Sequence, residues 1–127
     1  MPALYCSSSR LVLVLVLAAA ATPALAGSFT VPPASGQQTV SGSDTGSIAA
    51  GETLSGTPSA IQWNAAASTT PGVVITNDGT ISSTGRGIDT TSNVTGSFTL
   101  DNNSTVSSTD DAFRINGALA NGTVTVT

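Results

Sequence analysis

Carboxylates are the side chains of this sequence whose chemistry could be catalytic. The chain has 127 residues, no histidine and one cysteine, and its basic residues are three arginines. Without histidine or lysine, Ser-His-Asp triads, thiol–imidazole pairs and Ser-Lys dyads are excluded. A pair of carboxylates remains, as in polysaccharide hydrolysis, and Asp110 and Asp111 are the obvious candidates. Because successive side chains of a strand point to opposite faces, we predict that these two do not act together and that the chain is not an enzyme.

Oxygen ligands for a metal ion occur in or near turns, but not in a metal-binding pattern. Carboxylate and amide oxygens are the ligands that calcium prefers. The glycine-rich aspartate nonapeptide of calcium-binding β-rolls is absent from the sequence. We therefore predict no metal site and no cofactor. The residues concerned are Asp78, Asp101, Asn102, Asp110 and Asp111.

An internal repeat defines the elements that must position these residues. Residues 98–114 repeat the pattern of 73–89 with a period of about 25 residues, which is typical of solenoids. In the first copy, turns at 77–79 (Asn-Asp-Gly) and 83–85 (Ser-Thr-Gly) separate three β-prone pieces, since Asn, Asp and Gly tolerate the φ values of tight turns. The aligned pairs are Val73 with Phe98, Ile75 with Leu100, Asn77 with Asn102, Ile81 with Val106, and Ile88 with Phe113.

The repeat predicts an all-β fold, a right-handed parallel β-helix (solenoid) of about three coils. Apolar residues alternate with Ser, Thr, Asn and Gly, and a period of two indicates strands. If each copy is one coil, equivalent residues stack about 4.8 Å apart, and parallel crossovers are right-handed. Fainter copies upstream and downstream extend the stack. The predicted internal ladders are Ile48–Ile75–Leu100–Val126, Leu54–Ile81–Val106 and Ile61–Ile88–Phe113.

Two aligned charge pairs support this stacking. Charged residues make up only 8% of the chain, yet Arg86 aligns with Asp111 and Asp89 aligns with Arg114. Opposite charges on neighbouring strands stabilise a sheet by roughly 0.2–1 kcal/mol per pair. We therefore predict that both pairs join adjacent coils and that their carboxylates have a structural role.

Residues 1–26 have the features of a secretory signal peptide. Arg10 supplies the positive charge of a short leader, and residues 11–21 form an apolar run too short to span a bilayer comfortably. Ala24-Leu25-Ala26 then supplies a small-residue cleavage pattern before Gly27. We predict that the segment is removed. An uncleaved N-terminal anchor is the alternative.

The remainder of the chain divides into one preceding segment and the coils. Residues 27–45 are rich in Gly, Ser, Thr and Pro, and Pro32-Pro33 excludes a paired central strand at that point. This segment either caps the open end of the first coil or is a flexible linker. The β-helix repeats are predicted over 46–127, as coils 46–72, 73–97 and 98–122 and the start of a fourth at 123, with loops at 64–72, 90–97 and 116–122.

Trp63 is the one tryptophan, and it follows Ile61 by two residues. Alternation along a strand places both side chains on the same face. We therefore predict that Trp63 is a core or capping residue. A platform for stacking against a sugar ring is the alternative.

The charge balance excludes nucleic acid as a partner. Seven acidic residues outnumber three arginines, which gives a net charge of −4. Binding to phosphate backbones relies on clustered Lys and Arg. After removal of the predicted signal peptide, only Arg86 and Arg114 would remain.

The turn region of the repeat resembles a known family. The run I-T-N-D-G-T-I at 75–81, followed by G-R-G-I at 85–88, resembles the I-x-N-x-G-T-I…G-x-[AG]-I repeat of autotransporter passenger domains from Gram-negative bacteria. Residues 102–106 are a weaker copy, with Ser104 where the pattern prefers Gly. The resemblance implies export through the periplasm and an outer-membrane β-barrel translocator in the full-length parent protein. It also implies display at the cell surface, in the outer membrane, or secretion.

We therefore expect the N-terminal passenger fragment of an autotransporter-like surface protein. Its expected role is structural, as a stalk or adhesin that contacts host cells, matrix or other copies. The strand at 123–127 lacks a cap, which we interpret as the sign of a longer protein. The alternative is a fragment of a secreted polysaccharide-acting β-helix enzyme whose catalytic coils lie beyond residue 127. A truncated product without function is a third possibility.

Overall fold

The computed structural model describes residues 27–64 and 72–127, which form fourteen β-strands. These two stretches contain no helix, and therefore none with the length and apolar character needed to cross a membrane. The predicted signal peptide at 1–26 and residues 65–71 of a predicted loop lie outside the described residues.

The strands follow one another around a solenoid of a short lead-in turn and about three coils. The lead-in turn consists of β1 (Phe29–Val31) and β2 (Gln38–Val40). Coil 1 consists of β3 (Thr45–Ile48), β4 (Thr53–Gly56) and β5 (Ser59–Trp63). Coil 2 consists of β6 (Val73–Asn77), β7 (Thr80–Ser83), β8 (Arg86–Asp89) and β9 (Val94–Thr95). Coil 3 consists of β10 (Phe98–Asn102), β11 (Thr105–Ser108), β12 (Phe113–Arg114) and β13 (Leu119–Ala120), and β14 (Val124–Val126) follows it.

Strands of successive coils pair in parallel to form the walls of the solenoid. Sheet 1 has the order β1-β3-β6-β10-β14, sheet 2 the order β4-β7-β11, and sheet 3 the order β2-β5-β8-β12. The predicted register between coils 2 and 3 is confirmed, because Ile75 pairs with Leu100, Ile81 with Val106, and Ile88 with Phe113. The sequence therefore predicted the parallel solenoid and the stacking of its two most similar coils correctly.

One predicted ladder is wrong, at the junction of coils 1 and 2. Gly46, not Ile48, pairs with Ile75, and Phe29 pairs with Gly46 from the other side. A Cβ atom at Gly46 would lie 2.5 Å from the Phe29 ring and 2.6 Å from Ile75 Cδ1, so this ring fills the space that a side chain would take. Ile48 pairs with Asn77 and stays buried, because a shift of two residues keeps the same face inward.

A small fourth sheet lies where loops were predicted. Val94 pairs with Leu119 and Thr95 with Ala120, which joins β9 to β13. Each strand has only two residues, so no alternation was long enough to indicate a strand. The prediction of loops at 90–97 and 116–122 was therefore wrong for these four residues.

The core contains a line of three aromatic side chains that crosses the coils. The ring centroids of Trp63 and Phe98 are 5.1 Å apart, and those of Phe98 and Phe113 are 5.3 Å apart in an edge-to-face arrangement. Trp63 is 1% exposed. It is therefore a core residue, as predicted, and the sugar-stacking alternative is wrong because the ring does not reach solvent.

Burial of the core decreases toward coil 3. Ile81 and Ile88 are completely buried, whereas Val106 and Phe113, which pair with them, are only partly buried. Val126 is 58% exposed. Phe98 and Leu100 of β10 remain buried, so the packing of coil 3 against the rest of the solenoid is concentrated in sheet 1.

An asparagine ladder stabilises the turns between sheets 1 and 2. Asn77 is fully buried, and its Nδ2 donates to Asn102 Oδ1 at 2.7 Å and to the Thr105 carbonyl at 3.1 Å. Asn102 Nδ2 in turn donates to the Ser104 carbonyl at 3.0 Å. These bonds link the turn of coil 2 to that of coil 3.

Replacing Asn77 by alanine is expected to cost roughly 1–3 kcal/mol of folding free energy, because the Thr105 carbonyl and the Asn102 side-chain oxygen lose the donor that the buried Asn77 supplies. Urea unfolding followed by circular dichroism measures the loss. Asn102→Ala is the matched control, and a smaller loss is expected there because Asn102 is partly exposed and lies at the end of the ladder. An equal loss in both variants would contradict this assignment.

Candidate functional site

Sheet 2 and the turn that follows it present a regular array of hydroxyl groups. Each coil carries Thr, Ser and Thr at alternate positions, in the segments T-L-S-G-T at 53–57, T-I-S-S-T at 80–84 and T-V-S-S-T at 105–109. The strands pair in register, so Thr53, Thr80 and Thr105 are aligned, as are Ser55, Ser82 and Ser107. We call these nine Thr and Ser side chains the hydroxyl face; they are Thr53, Ser55, Thr57, Thr80, Ser82, Thr84, Thr105, Ser107 and Thr109.

The local sequence explains why the hydroxyl face points to solvent. Leu54 and Ile81, which lie between the first two hydroxyl residues of coils 1 and 2, are completely buried. Alternation along the strand then directs the hydroxyl residues outward. Equivalent hydroxyl residues of successive coils are about 4.8 Å apart, and successive hydroxyl residues of one coil are about 6.6 Å apart along the strand. The Thr57 and Thr84 hydroxyl oxygens lie 2.8 Å apart and share a hydrogen bond.

A groove of about 510 Å³ runs along the corner between sheets 2 and 3. We call it the corner groove. It is lined by Gly36, Gln37, residues 55–57, residues 82–84 and Thr109, so it crosses the lead-in turn and all three coils. The lining contains neither a charged nor an aromatic side chain. Gln37 Nε2 donates to Ser59 Oγ at 2.6 Å, which fixes the side-chain amide at one end of the groove.

The lead-in turn creates one end of this groove. It contributes β1 to sheet 1 and β2 to sheet 3, but among the described residues it has no strand in sheet 2. Residues 32–37 connect the two strands instead, and β4 is left as the edge of sheet 2. The corner groove is therefore bounded at its N-terminal end by Gly36 and Gln37 of the lead-in turn, and residues of coils 1 to 3 line the rest of it.

A second cluster of polar residues joins coils 2 and 3 on sheet 3. Arg114 Nε donates to Asp89 Oδ1 at 2.8 Å and its Nη2 donates to Asp89 Oδ2 at 2.9 Å. The two residues are direct strand partners, as predicted. The hydrogen bond and charge of Asp89 raise the pKa of Arg114 above its usual value, although burial lowers it. The guanidinium therefore stays protonated, and no loss of the pair is expected as the pH rises within the ordinary range.

The other ion pair differs from the prediction. Arg86 Nη2 lies 2.6 Å from Asp110 Oδ2, whereas its Nε lies 3.5 Å from Asp111 Oδ2. Asp110 is therefore the main partner, and the longer separation is an attraction between charges without a hydrogen bond. The expectation that the two carboxylates point apart is also wrong, because both approach the same guanidinium from the turn between β11 and β12.

The loss of stability on replacing Asp89 or Asp110 by asparagine is expected to be larger for the residue that is more buried and better hydrogen-bonded. Asp110→Asn should cost roughly 0.2–1 kcal/mol, because an exposed ion pair is worth little. Asp89→Asn should lower the Tm further, since the Asp89 side chain is 9% exposed and binds Arg114 through two hydrogen bonds. Thermal unfolding monitored by circular dichroism makes the comparison. An equal fall in Tm for Asp110→Asn and Asp89→Asn would show that the two hydrogen bonds between Asp89 and Arg114 add no stability beyond that of an exposed ion pair.

Two other candidate metal ligands accept hydrogen bonds from asparagine side chains. Asp78 Oδ1 accepts a hydrogen bond from Asn103 Nδ2 at 2.9 Å, and Asn102 Oδ1 accepts one from Asn77. Within residues 27–64 and 72–127 there is no group of three or more His, Cys, Asp or Glu side chains able to hold a metal ion.

Sequence reasoning did not identify the corner groove, although a signal for its hydroxyl lining was present. The repeat of 73–89 in 98–114 aligns residues 80–84 with 105–109. The outward members of the same segments are all Ser or Thr. The concave shape depends on the path of residues 32–37, which no repeat pattern predicts.

The class of protein that the fold defines is a parallel β-solenoid. Comparison with family models, curated proteins and solved structures found no match to this chain.

Proposed function

We propose that the chain is the N-terminal passenger segment of an autotransporter-like exported surface protein. In this role it is a right-handed parallel β-helix that serves as a stalk or adhesive surface at the cell surface. It contacts host cells, matrix or other copies, its parent protein carries an outer-membrane β-barrel translocator, and it has no enzymatic activity.

The observation that supports the proposal is the structural role of the two isoleucines, the asparagine and the glycine of the I-T-N-D-G-T-I motif. Ile75 and Ile81 are buried, and Asn77 donates hydrogen bonds to the next coil. A Cβ atom at Gly79 would press against the carbonyl oxygens of Ala49 and Glu52 in the previous coil. The pattern shared with autotransporter passengers is therefore a stacking pattern in this chain, as a stalk of repeated coils requires.

No specific observation favours the alternative of a polysaccharide-acting enzyme. Asp89, Asp110 and Asp111 are each within 3.5 Å of an arginine. Glycoside hydrolysis needs one carboxyl group that can be protonated and a second that acts as nucleophile or base. Carboxylates held by guanidinium groups are poor candidates for the first role.

Expression in a Gram-negative cell tests the export step. The expected product lies outside the cytoplasm and begins at Gly27, which mass spectrometry of the recovered chain would establish. Ala26→Phe should block processing because signal-peptide cleavage needs a small residue at this position. Ala20→Leu, within the apolar run, is the matched control and should be processed normally. Recovery of an unprocessed chain beginning at Met1 in the cytoplasm would contradict the proposal.

A protease added to intact cells tests display when the natural gene is expressed in its host. Cleavage of the chain without cell lysis is the expected result. A chain that becomes accessible only after the outer membrane is opened would place it in the periplasm and refute the surface role.

A further inference from the structure

We propose that the corner groove binds a neutral linear polysaccharide that lies along the solenoid axis and crosses successive coils. This inference specifies the ligand of the adhesive role proposed above and rests on that role. The site consists of the groove-facing members of the hydroxyl face together with Gln37.

The chemistry of the lining selects a neutral ligand rich in hydroxyl groups. The groove offers hydroxyls, one amide and glycine backbone, and each hydroxyl both donates and accepts hydrogen bonds. A sugar ring presents the same combination on its rim. The lining has no cation for an acidic glycan or phosphate and no apolar pocket for the side chains of a peptide.

The geometry selects a polymer. Thr57, Thr84 and Thr109 occupy equivalent positions in coils 1, 2 and 3, so the groove repeats its contacts about every 4.8 Å. A chain of identical units meets a similar set of hydroxyls at each coil. The groove is open at the surface along its length, as an extended chain requires.

The absence of an exposed aromatic ring from the groove determines how affinity depends on ligand length. Trp63, the one tryptophan, is buried in the core. Without stacking, each coil contributes only hydrogen bonds that replace bonds to water. A disaccharide should therefore bind weakly, and a hexasaccharide that spans the coils should bind at least about tenfold more tightly.

The test uses the full chain, purified, and neutral oligosaccharides of two to six units: β-1,4-glucan, β-1,3-glucan, α-1,4-glucan and β-1,4-linked N-acetylglucosamine. Binding is measured by calorimetry and by NMR shifts of the chain. The site variant is Thr57→Val/Thr84→Val/Thr109→Val, which removes the hydroxyls at nearly constant size. The matched control is Thr45→Val/Thr99→Val/Thr125→Val, on the outer face of sheet 1, where Val74 already occupies the same column.

The expected result is binding of at least one hexasaccharide, weakened about tenfold or more in the site variant and unchanged in the control. Thr84→Ser, which keeps the hydroxyl, should retain binding. If the triple site variant does not fold, Thr84→Val alone should still weaken binding relative to Thr84→Ser.

Two results would overturn the proposal. They are no binding of any neutral hexasaccharide at about 10 mM, or equal weakening in the site variant and the control. The experiment uses purified protein. Its failure therefore leaves the export proposal intact, and a failure of export leaves a measured glycan affinity intact.

Discussion

Replacing Phe98 by alanine is expected to lower the free energy of unfolding by roughly 3–5 kcal/mol, the range for truncation of a buried aromatic side chain. Phe98 is completely buried and lies between the rings of Trp63 and Phe113. Its loss leaves a cavity bordered by two coils, and it removes both aromatic contacts, each worth about 0.5–1.5 kcal/mol beyond the area that it buries. A fall in Tm of about 10 °C or more should follow.

Thermal unfolding followed by Trp63 fluorescence measures this effect where the cavity forms. Phe98→Leu is the first control and should cost less, because it keeps most of the buried apolar volume. Val126→Ala is the second, and a change within about 0.5 kcal/mol is expected because Val126 is largely exposed. If Phe98→Ala and Val126→Ala have similar effects, the aromatic line does not stabilise the solenoid.

Gly46→Val is expected to cost roughly 1–3 kcal/mol, because it overpacks the junction between the lead-in turn and coil 2. Its Cβ would lie 2.5 Å from the Phe29 ring and 2.6 Å from Ile75 Cδ1. The conflict is with side chains, so a change in the partner should relieve it. Urea unfolding of the single variants gives the two reference values.

The double variant Gly46→Val/Phe29→Ala should be more stable than the sum of the two single losses predicts, by about 1 kcal/mol or more. Phe29→Ala alone empties the space over Gly46, and the valine refills part of it. Phe29→Ala combined with Val126→Ala is the control, since the two sites lie at opposite ends of the solenoid and their effects should add. Strict additivity in the double variant at Gly46 would show that the ring does not occupy this space.

The repeat predicts the position of Phe98 correctly but not that of Gly46. Phe98 falls on Val73 in the repeat, and the pairing of β6 with β10 places the two as predicted. Glycine carries no apolar side chain, so the sequence pattern assigns to Ile48 the place beside Ile75 that Gly46 occupies. The space over Gly46 is occupied by the Phe29 ring from the neighbouring lead-in turn. A comparison of repeats sees only the residue at each aligned position, so it cannot detect a side chain that comes from another coil.

The ion pairs and the corner groove likewise differ in how far the sequence predicts them. The pairing of Asp89 with Arg114 was predictable because both residues lie on strands with a fixed register. Asp110 lies in the turn before β12, where no strand register applies, and its contact with Arg86 depends on the path of that turn. The concave surface likewise depends on how residues 32–37 connect β1 and β2.

The all-β class, the parallel stacking and the inward positions of coils 2 and 3 could be predicted from the sequence, because a period of two combined with a period of about 25 residues leaves few other ways to bury Ile75, Ile81 and Ile88. Three features could not be predicted: the residue that fills the space over Gly46, the carboxylate that binds Arg86, and the place where hydroxyls of successive coils form a groove. These features depend on contacts between side chains and turns of different coils. Such contacts do not produce a periodic pattern in the sequence.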